Sequence, residues 1–247
     1  MRYVYPCGNF FCPFYIAQRF RSSHDHLASF PRRSPVVVNP KEIESKEEYI
    51  HFHLTIPKLE GLPNQQVQNL INHAIESDVM EFKRQMEEAA QEEAEKAMQE
   101  GREMKPFIAS SIYQVTYDSS KIFSLTMTYY ELINNIHSYI KASYNFNLIT
   151  GKSLGLKDLF RPGVDYKVAI NAEIRKHIQA NPDKYFPGTL ERFHGIAEDQ
   201  PFYIAKESLA VFFGFHQIAP TESQIPIIKI PLSHLSSLLK PEILSSI

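Results

Sequence analysis

An α+β fold built on an antiparallel β-meander is predicted by three observations. Three consecutive segments between Ile112 and Leu148 alternate with a period of two, helical periodicity is confined to stretches before and after them, and strands and helices do not alternate regularly along the chain. In the first segment Tyr113, Val115 and Tyr117 are expected on one face, and in the second Phe123, Leu125, Met127 and Tyr129. In the third, Ile140, Ala142, Tyr144, Phe146 and Leu148 form the apolar row while Lys141, Ser143, Asn145 and Asn147 point the other way. One face of the meander is therefore expected to be buried and the other wet. Asp118-Ser119-Ser120-Lys121 joins the first two strands, and Thr150-Gly151-Lys152 closes the third, with glycine free to take a positive φ.

A smaller strand-plus-long-helix subdomain is expected over residues 36–106, ahead of a C-terminal α+β part over 107–247. It begins with the β-rich Val36-Val37-Val38 and a strand in which Ile50, Phe52, Leu54 and Ile56 alternate with polar neighbours up to Pro57. A helix follows from about Pro63 to Glu100, with Asn64 as candidate N-cap. Val67, Leu70, Ile71, Ala74, Ile75, Val79, Phe82 and Met86 mark one of its faces. Beyond Met86 that face thins to Ala89, Ala90, Ala94, Ala97 and Met98, so the helix is expected to project past the core until Gly101. After the meander, Asp165 can cap a helix from Tyr166 to Gln179. A short helix at Thr189–Phe193, strands at 202–204, 209–215 and 225–230, and a helix at Ser233–Leu239 complete the reading.

At 247 residues with 43% hydrophobic and 22% charged residues, the chain can bury a self-sufficient core. The net charge of −2 leaves no electrostatic footprint for nucleic acid, which is not expected as a partner. No apolar run approaches the roughly 18 residues of a transmembrane helix, so no membrane span is expected. The first 35 residues form an irregular arm whose Arg2, Arg19, Arg21, Arg32 and Arg33 face Asp25 alone. Pro6, Gly8, Asn9, Pro13 and Gln18 interrupt any secretory core in it, which points to the cytoplasm. The arm reads equally as a transit-peptide-like segment or as upstream sequence translated from a misplaced start. Cys7 and Cys12 both lie in it, too few for a structural zinc site, and either a local disulfide or free thiols fit them.

His51 and His53 stand two apart on the polar side of a strand, and His24-Asp25-His26 makes a second pair. Metal sites need three or four convergent ligands, so neither a metal nor another cofactor is expected. His137 in the loop after the second meander strand is suited either to donating to a ligand or to bracing its turn through neighbouring carbonyls. A hydrolase reading recruits His137 with Asp158 and Ser138 or Ser143. Against it, the chain holds no nucleophile elbow, P-loop, dinucleotide fingerprint or zinc-protease helix, and a non-enzymatic role is expected. The glutamates between Glu87 and Glu103 read as a solvated face, or as an acidic surface for a cationic partner. Most of the aromatic residues fit the alternating core rows, with a few left as interface anchors.

Thr150-Gly151-Lys152-Ser153-Leu154-Gly155-Leu156-Lys157-Asp158-Leu159-Phe160 resembles the signature of the RsiV/PdaC-type domain family, a domain of unknown function. Phe202-Tyr203-Ile204 with Leu209–Phe213, and Ile218-Ala219-Pro220 followed by Ile225-Pro226, resemble two further blocks of the same family in the same order. The resemblance spans about residues 36–240. That family occurs in lysozyme-sensing anti-sigma factors, where it binds lysozyme, and beside a peptidoglycan deacetylase domain. What it implies is a non-catalytic module for a lysozyme-like protein or a cell-wall ligand, placed in the cell envelope or spore. A small cell-wall hydrolase and a structural envelope or spore protein are the alternatives. The ligand-facing loops implied are 134–138, with Asn134, Asn135 and His137, and 218–224, with Ile218, Pro220, Thr221 and Gln224. At two places the family pattern differs. The paired glycines before the histidine are Asn134 and Asn135 here, and the aromatic and glycine after the proline are Thr221 and Gln224.

Overall fold

The structure, a computed structural model, describes residues 36–220 and 225–246. The arm with Cys7, Cys12, His24 and His26 lies outside the described residues, as do Thr221 and Gln224. The α+β class holds. Five strands, β1 (Val37–Lys46), β2 (Ile50–Glu60), β3 (Phe107–Asp118), β4 (Ile122–Ile133) and β5 (Ile136–Asn147), lie side by side in chain order. The last three form the expected antiparallel meander. β1 and β2 make an antiparallel hairpin, and β2 joins β3 in parallel along Ile50–Leu54. A parallel join needs a crossover, and helix α1 (Gln65–Glu100) supplies it. The Asn64 side chain accepts from the backbone N–H groups of Gln66 and Val67 at its start. Gly101, at φ 66°, ends it in the left-handed region.

The first core lies between this helix and one face of the sheet. Ile71, Ile75, Val79, Phe82 and Met86 pack on Phe52, Leu54, Phe123, Leu125, Met127 and Tyr129. The apolar rows expected for β4 and β5 are the ones buried. The last turns of α1 do not project past the core: Ala90, Ala94 and Ala97 are buried. A helix of this length is about 54 Å long and the meander strands about 40 Å, so the two run together for most of their length. Ala90 still belongs to the helix–sheet core, and Ala94 and Ala97 beyond it are covered rather than projecting into solvent. Pro57 does not end β2, which continues to Glu60 with Pro57 opposite Pro40. The β2–β3 ladder has already stopped at Leu54 with Ser111, so the amide that Pro57 lacks is not needed there.

A bulge corrects the first meander row. The register shifts between Val115 and Tyr117, so Tyr113 packs against the first core while Tyr117 turns to the opposite side. There its hydroxyl donates to the Ser246 carbonyl.

The second core gathers α2 (Tyr166–Ala180), α3 (Thr189–Arg192), and a three-stranded antiparallel sheet of β6 (Phe202–Ala205), β7 (Ser208–Phe212) and β8 (Ile227–Pro231). The terminal segment forms two short helices, α4 (Leu232–Leu235) and α5 (Pro241–Leu244), instead of one. The strand expected to reach Phe215 stops at Phe212, ahead of a turn closed by Gly214 and Gln217.

This second layer covers part of the meander face that was expected to be wet. The Ile204 N–H of β6 donates to Ser124 Oγ at 3.1 Å, and Ser124 Oγ donates to Asn145 Oδ1 at 2.7 Å. Asn145 Nδ2 donates in turn to the Phe202 carbonyl at 2.9 Å. Ser124 and Asn145 are buried. Edge-strand backbone groups of β6, which no strand among the described residues pairs, are thus satisfied by polar side chains of the first sheet. The Thr150-Gly151-Lys152 turn sits at the other face, where a Cβ on Gly151 would lie 2.9 Å from Leu70 Cδ2 and φ is +72°. Both terms favour glycine in that motif.

Candidate functional site

The uncovered part of the meander face lies toward the β4–β5 hairpin. Asn134 and Asn135 both adopt positive φ, 50° and 64°, which makes their two-residue connection a type I′ turn. Asparagine tolerates this region better than other side chains, so the pair makes the turn without glycine. Asn134 Nδ2 donates to Glu93 Oε1 of α1 at 3.1 Å. That bond, with Arg102 behind it, holds the Glu93 carboxyl below the usual range. Asn134 thus faces the helix side of the hairpin.

His137 faces the open side. It is exposed, and its Nδ1 stands 3.1 Å from the Tyr130 hydroxyl. The partner is a neighbouring strand's side chain, not the turn carbonyls. Ring contacts continue from there. Tyr130 lies 5.2 Å from Tyr139 between centroids, Tyr139 lies 6.2 Å from Phe215, and Phe215 lies 4.7 Å from His216, which stacks on Phe186 at 6.2 Å. The band joins the hairpin to the loop that leads to Ile218. The Ile218 carbonyl accepts from the Phe186 N–H at 3.1 Å and from Thr189 Oγ1 at 3.2 Å, while Ala219 is anchored in the second core and Pro220 is half-buried. Tyr139 is 43% exposed, and on the same face Ile112 is 64% exposed.

His137 and Phe215 and His216 of the 214–218 loop are therefore linked along one surface, while Ile218 packs on the second core and Asn134 turns toward the helix. Tyr130, Tyr139, Phe186, Phe215 and His216 were not singled out from the sequence. Tyr130 and Tyr139 carried a usable signal, since large aromatics occupied polar-face positions of strands and paired directly across the ladder.

The other candidate chemistries disperse. His51 stands in register with Ile108, Leu132 and His137 across the sheet. Three strand spacings place the two histidines about 14 Å apart. His53 Nδ1 lies 3.9 Å from Glu44 Oε1. Among the described residues no group of three or more His, Cys, Asp or Glu is arranged to hold a metal. Ser138 is turned toward α1 and donates to Glu131 Oε2 at 2.6 Å, and Asp158 accepts from the Gly155 N–H at 2.8 Å. Neither meets His137, and Ser143 lies about 20 Å along the strand from it. Among the helix glutamates, Glu87 and Glu88 pair with Lys83 and Arg84. A concavity of about 520 Å³ between these turns of α1 and Glu47–Ile50 opens on the helix side, away from His137. No helix among the described residues is long and apolar enough to cross a membrane.

One buried group lies beneath this scaffold. Asp78 of α1 accepts from the Tyr144 hydroxyl at 2.8 Å, and its other carboxyl oxygen has no hydrogen-bond partner among the described residues. Burial pushes its carboxyl up to about 6, against the lowering effect of the Tyr144 bond.

A two-sheet α+β domain with a long crossover helix and an open aromatic face is the class that these features define. The chain carries a PdaC/DUF3298-type domain. The family model described as Deacetylase PdaC matches residues 43–133, and the one described as Protein of unknown function (DUF3298) matches residues 157–233. Two solved structures share the fold. A DUF3298 family member from Bacteroides fragilis superposes with a TM-score of 0.65 at 13% identity, over 84% of this chain and 96% of that one. A DUF3298 family protein from Pseudomonas aeruginosa PAO1 does so with a TM-score of 0.57 at 15% identity, over 87% and 97%. No curated protein matches the chain.

Proposed function

We propose that this chain is a binding module without chemistry of its own, and that the open face from His137 through Tyr139 to Phe215 and His216 receives a protein ligand of the lysozyme type. The observation that carries this reading is the continuous aromatic band between the two loops. Tyrosine and histidine rings on a half-open sheet face offer large contact area at low entropic cost, together with polar tips for hydrogen bonding. The resemblance to lysozyme-binding members of the family supplies the ligand class. The carboxylates of the helix side lie on another surface, so the recognition is mainly aromatic and should respond weakly to salt.

The test is a calorimetric titration of the full chain against lysozyme at low and high salt, with peptidoglycan fragments as a parallel arm. The expected result is saturable binding to lysozyme that weakens by about tenfold or more in His137→Ala and Tyr139→Ala proteins, as for anchors at the centre of an interface. Absence of lysozyme binding, or binding indifferent to both substitutions, overturns the proposal.

A further inference from the structure

β5 is an edge strand, and most of that edge is open. Alternate residues of a strand turn both backbone groups to the same side. Asn145 accepts from the Leu154 N–H and Asn147 donates to the Lys152 carbonyl, both outside the sheet. His137, Tyr139, Lys141 and Ser143 therefore direct their N–H and C=O groups outward too. Among the described residues none pairs with them.

The other edge, β1, is defended. It holds Pro40 and the charges of Lys41, Glu42, Glu44 and Lys46, the usual devices against strand addition. From Ile136 to Ser143, β5 carries no proline and Lys141 as its one charge, and Ile136 is 72% exposed. One edge is guarded and the other is left as a template.

The sequence of that edge complements itself. If two copies meet antiparallel about a two-fold axis at Ile140, His137 faces Ser143, Ser138 faces Ala142 and Tyr139 faces Lys141. Every outward backbone group named above then finds a partner. A shift by two positions in one direction sets Lys141 directly against Lys141 of the other copy, a like-charge pair that disfavours it. A shift in the other direction leaves Ser143 opposite the turn, without a strand partner. In the central register each lysine instead lies beside a tyrosine ring, an attractive arrangement. The partner strand also ends, at its own Asn134–Asn135 turn, where Ser153 and Leu154 begin to cover the edge.

We propose that β5 is a self-association edge: a second copy of this chain pairs its β5 antiparallel in the register centred on Ile140, joining the two five-stranded sheets into one continuous sheet. The arrangement is isologous and closed, so it yields a dimer and not a fibre. It does not depend on which ligand the open face takes.

Sedimentation velocity on the full chain over a concentration series tests it, with two variants and a cross-link. The wild-type chain should sediment at twice the monomer mass with concentration-dependent dissociation. Tyr139→Lys, which sets lysine against Lys141 twice across the axis, should raise the dissociation constant at least tenfold. Tyr139→Lys combined with Lys141→Glu should restore the dimer, which a variant that merely failed to fold would not do. In a chain with Cys7 and Cys12 changed to serine, Ile140→Cys should form a disulfide between copies. A chain monomeric at its highest soluble concentration, or a dimer unaffected by Tyr139→Lys, overturns the proposal. A monomer that instead captures an unrelated extended peptide along β5 overturns it in favour of strand addition by another partner.

Discussion

An Asn145→Ala protein is expected to lose about 3 kcal/mol of stability, most of it at the joint between the two sheets. Asn145 accepts from Ser124 Oγ and donates to the Phe202 carbonyl from a buried position. Its removal leaves the Phe202 carbonyl without its donor and the Ser124 hydroxyl hydrogen without its acceptor, while Ser124 Oγ still accepts from Thr116 Oγ1 and the Ile204 N–H. Each buried unsatisfied group costs about 1–3 kcal/mol. Urea unfolding gives the magnitude. Amide hydrogen exchange gives the place: the Ile204 N–H, held by Ser124 Oγ, should exchange much faster while the β3 and β4 amides stay protected. Uniform loss of protection throughout both sheets would mean that the joint is not a separable unit. Because β7 continues into the 214–218 loop, a loosened joint should also displace Phe215 from Tyr139 and weaken ligand binding on the open face.

An Asp78→Asn protein is expected to be more stable than the wild type at pH 8, by up to about 3 kcal/mol, and nearly equal to it at pH 4. The sign follows from the direction of the shift. The carboxyl is raised to about 6 in the folded protein, from the ordinary carboxylate range in the unfolded chain. The folded state therefore holds this proton more tightly. Its contribution to stability is fully present below about pH 4 and is lost as pH rises through 6. Above that, a charge sits among Ile75, Val79 and Phe82 with one hydrogen bond, from Tyr144, to support it. Asparagine keeps an acceptor for Tyr144 and removes the charge. Urea unfolding of both proteins from pH 4 to pH 8 checks this, and parallel pH dependences would overturn it.

The meander was legible in the sequence because burial of one face imposes a period of two, and Phe123, Leu125, Met127 and Tyr129 obey it without exception. The ends of α1 were legible because Asn64 and Gly101 act locally. What failed was what depends on distant residues. A bulge at Thr116 moved Tyr117 to the other core, although the letters alternate without a break. Ala90, Ala94 and Ala97 were read as a loss of contact because small apolar side chains have the same pattern whether a helix end is covered or free. Asn145 was read as wetted because the strand that covers it and Ser124, β6, arrives some 60 to 80 residues later in the chain. The histidine of the candidate surface was visible through its motif, while its aromatic neighbours become a band only when β4, β5 and the loop after β7 meet.

The parallel join of β2 to β3 has a consequence for how the molecule comes to be made. Each meander pairing closes across a turn of a few residues, and so does the β1–β2 hairpin. Ile50 reaches Phe107 only across the whole of α1, and the ladder there is short, Ile50–Leu54 with Phe107–Ser111. Closing so long a loop for so few backbone bonds is entropically expensive until α1 is itself docked. The meander is thus the piece that can form early, with β1–β2 as a local hairpin waiting beside it. Pulsed hydrogen exchange during refolding should find the β4 amides protected before those of β2. The order of synthesis runs the other way: the hairpin emerges first and must stay unattached until the strand it pairs with has been translated.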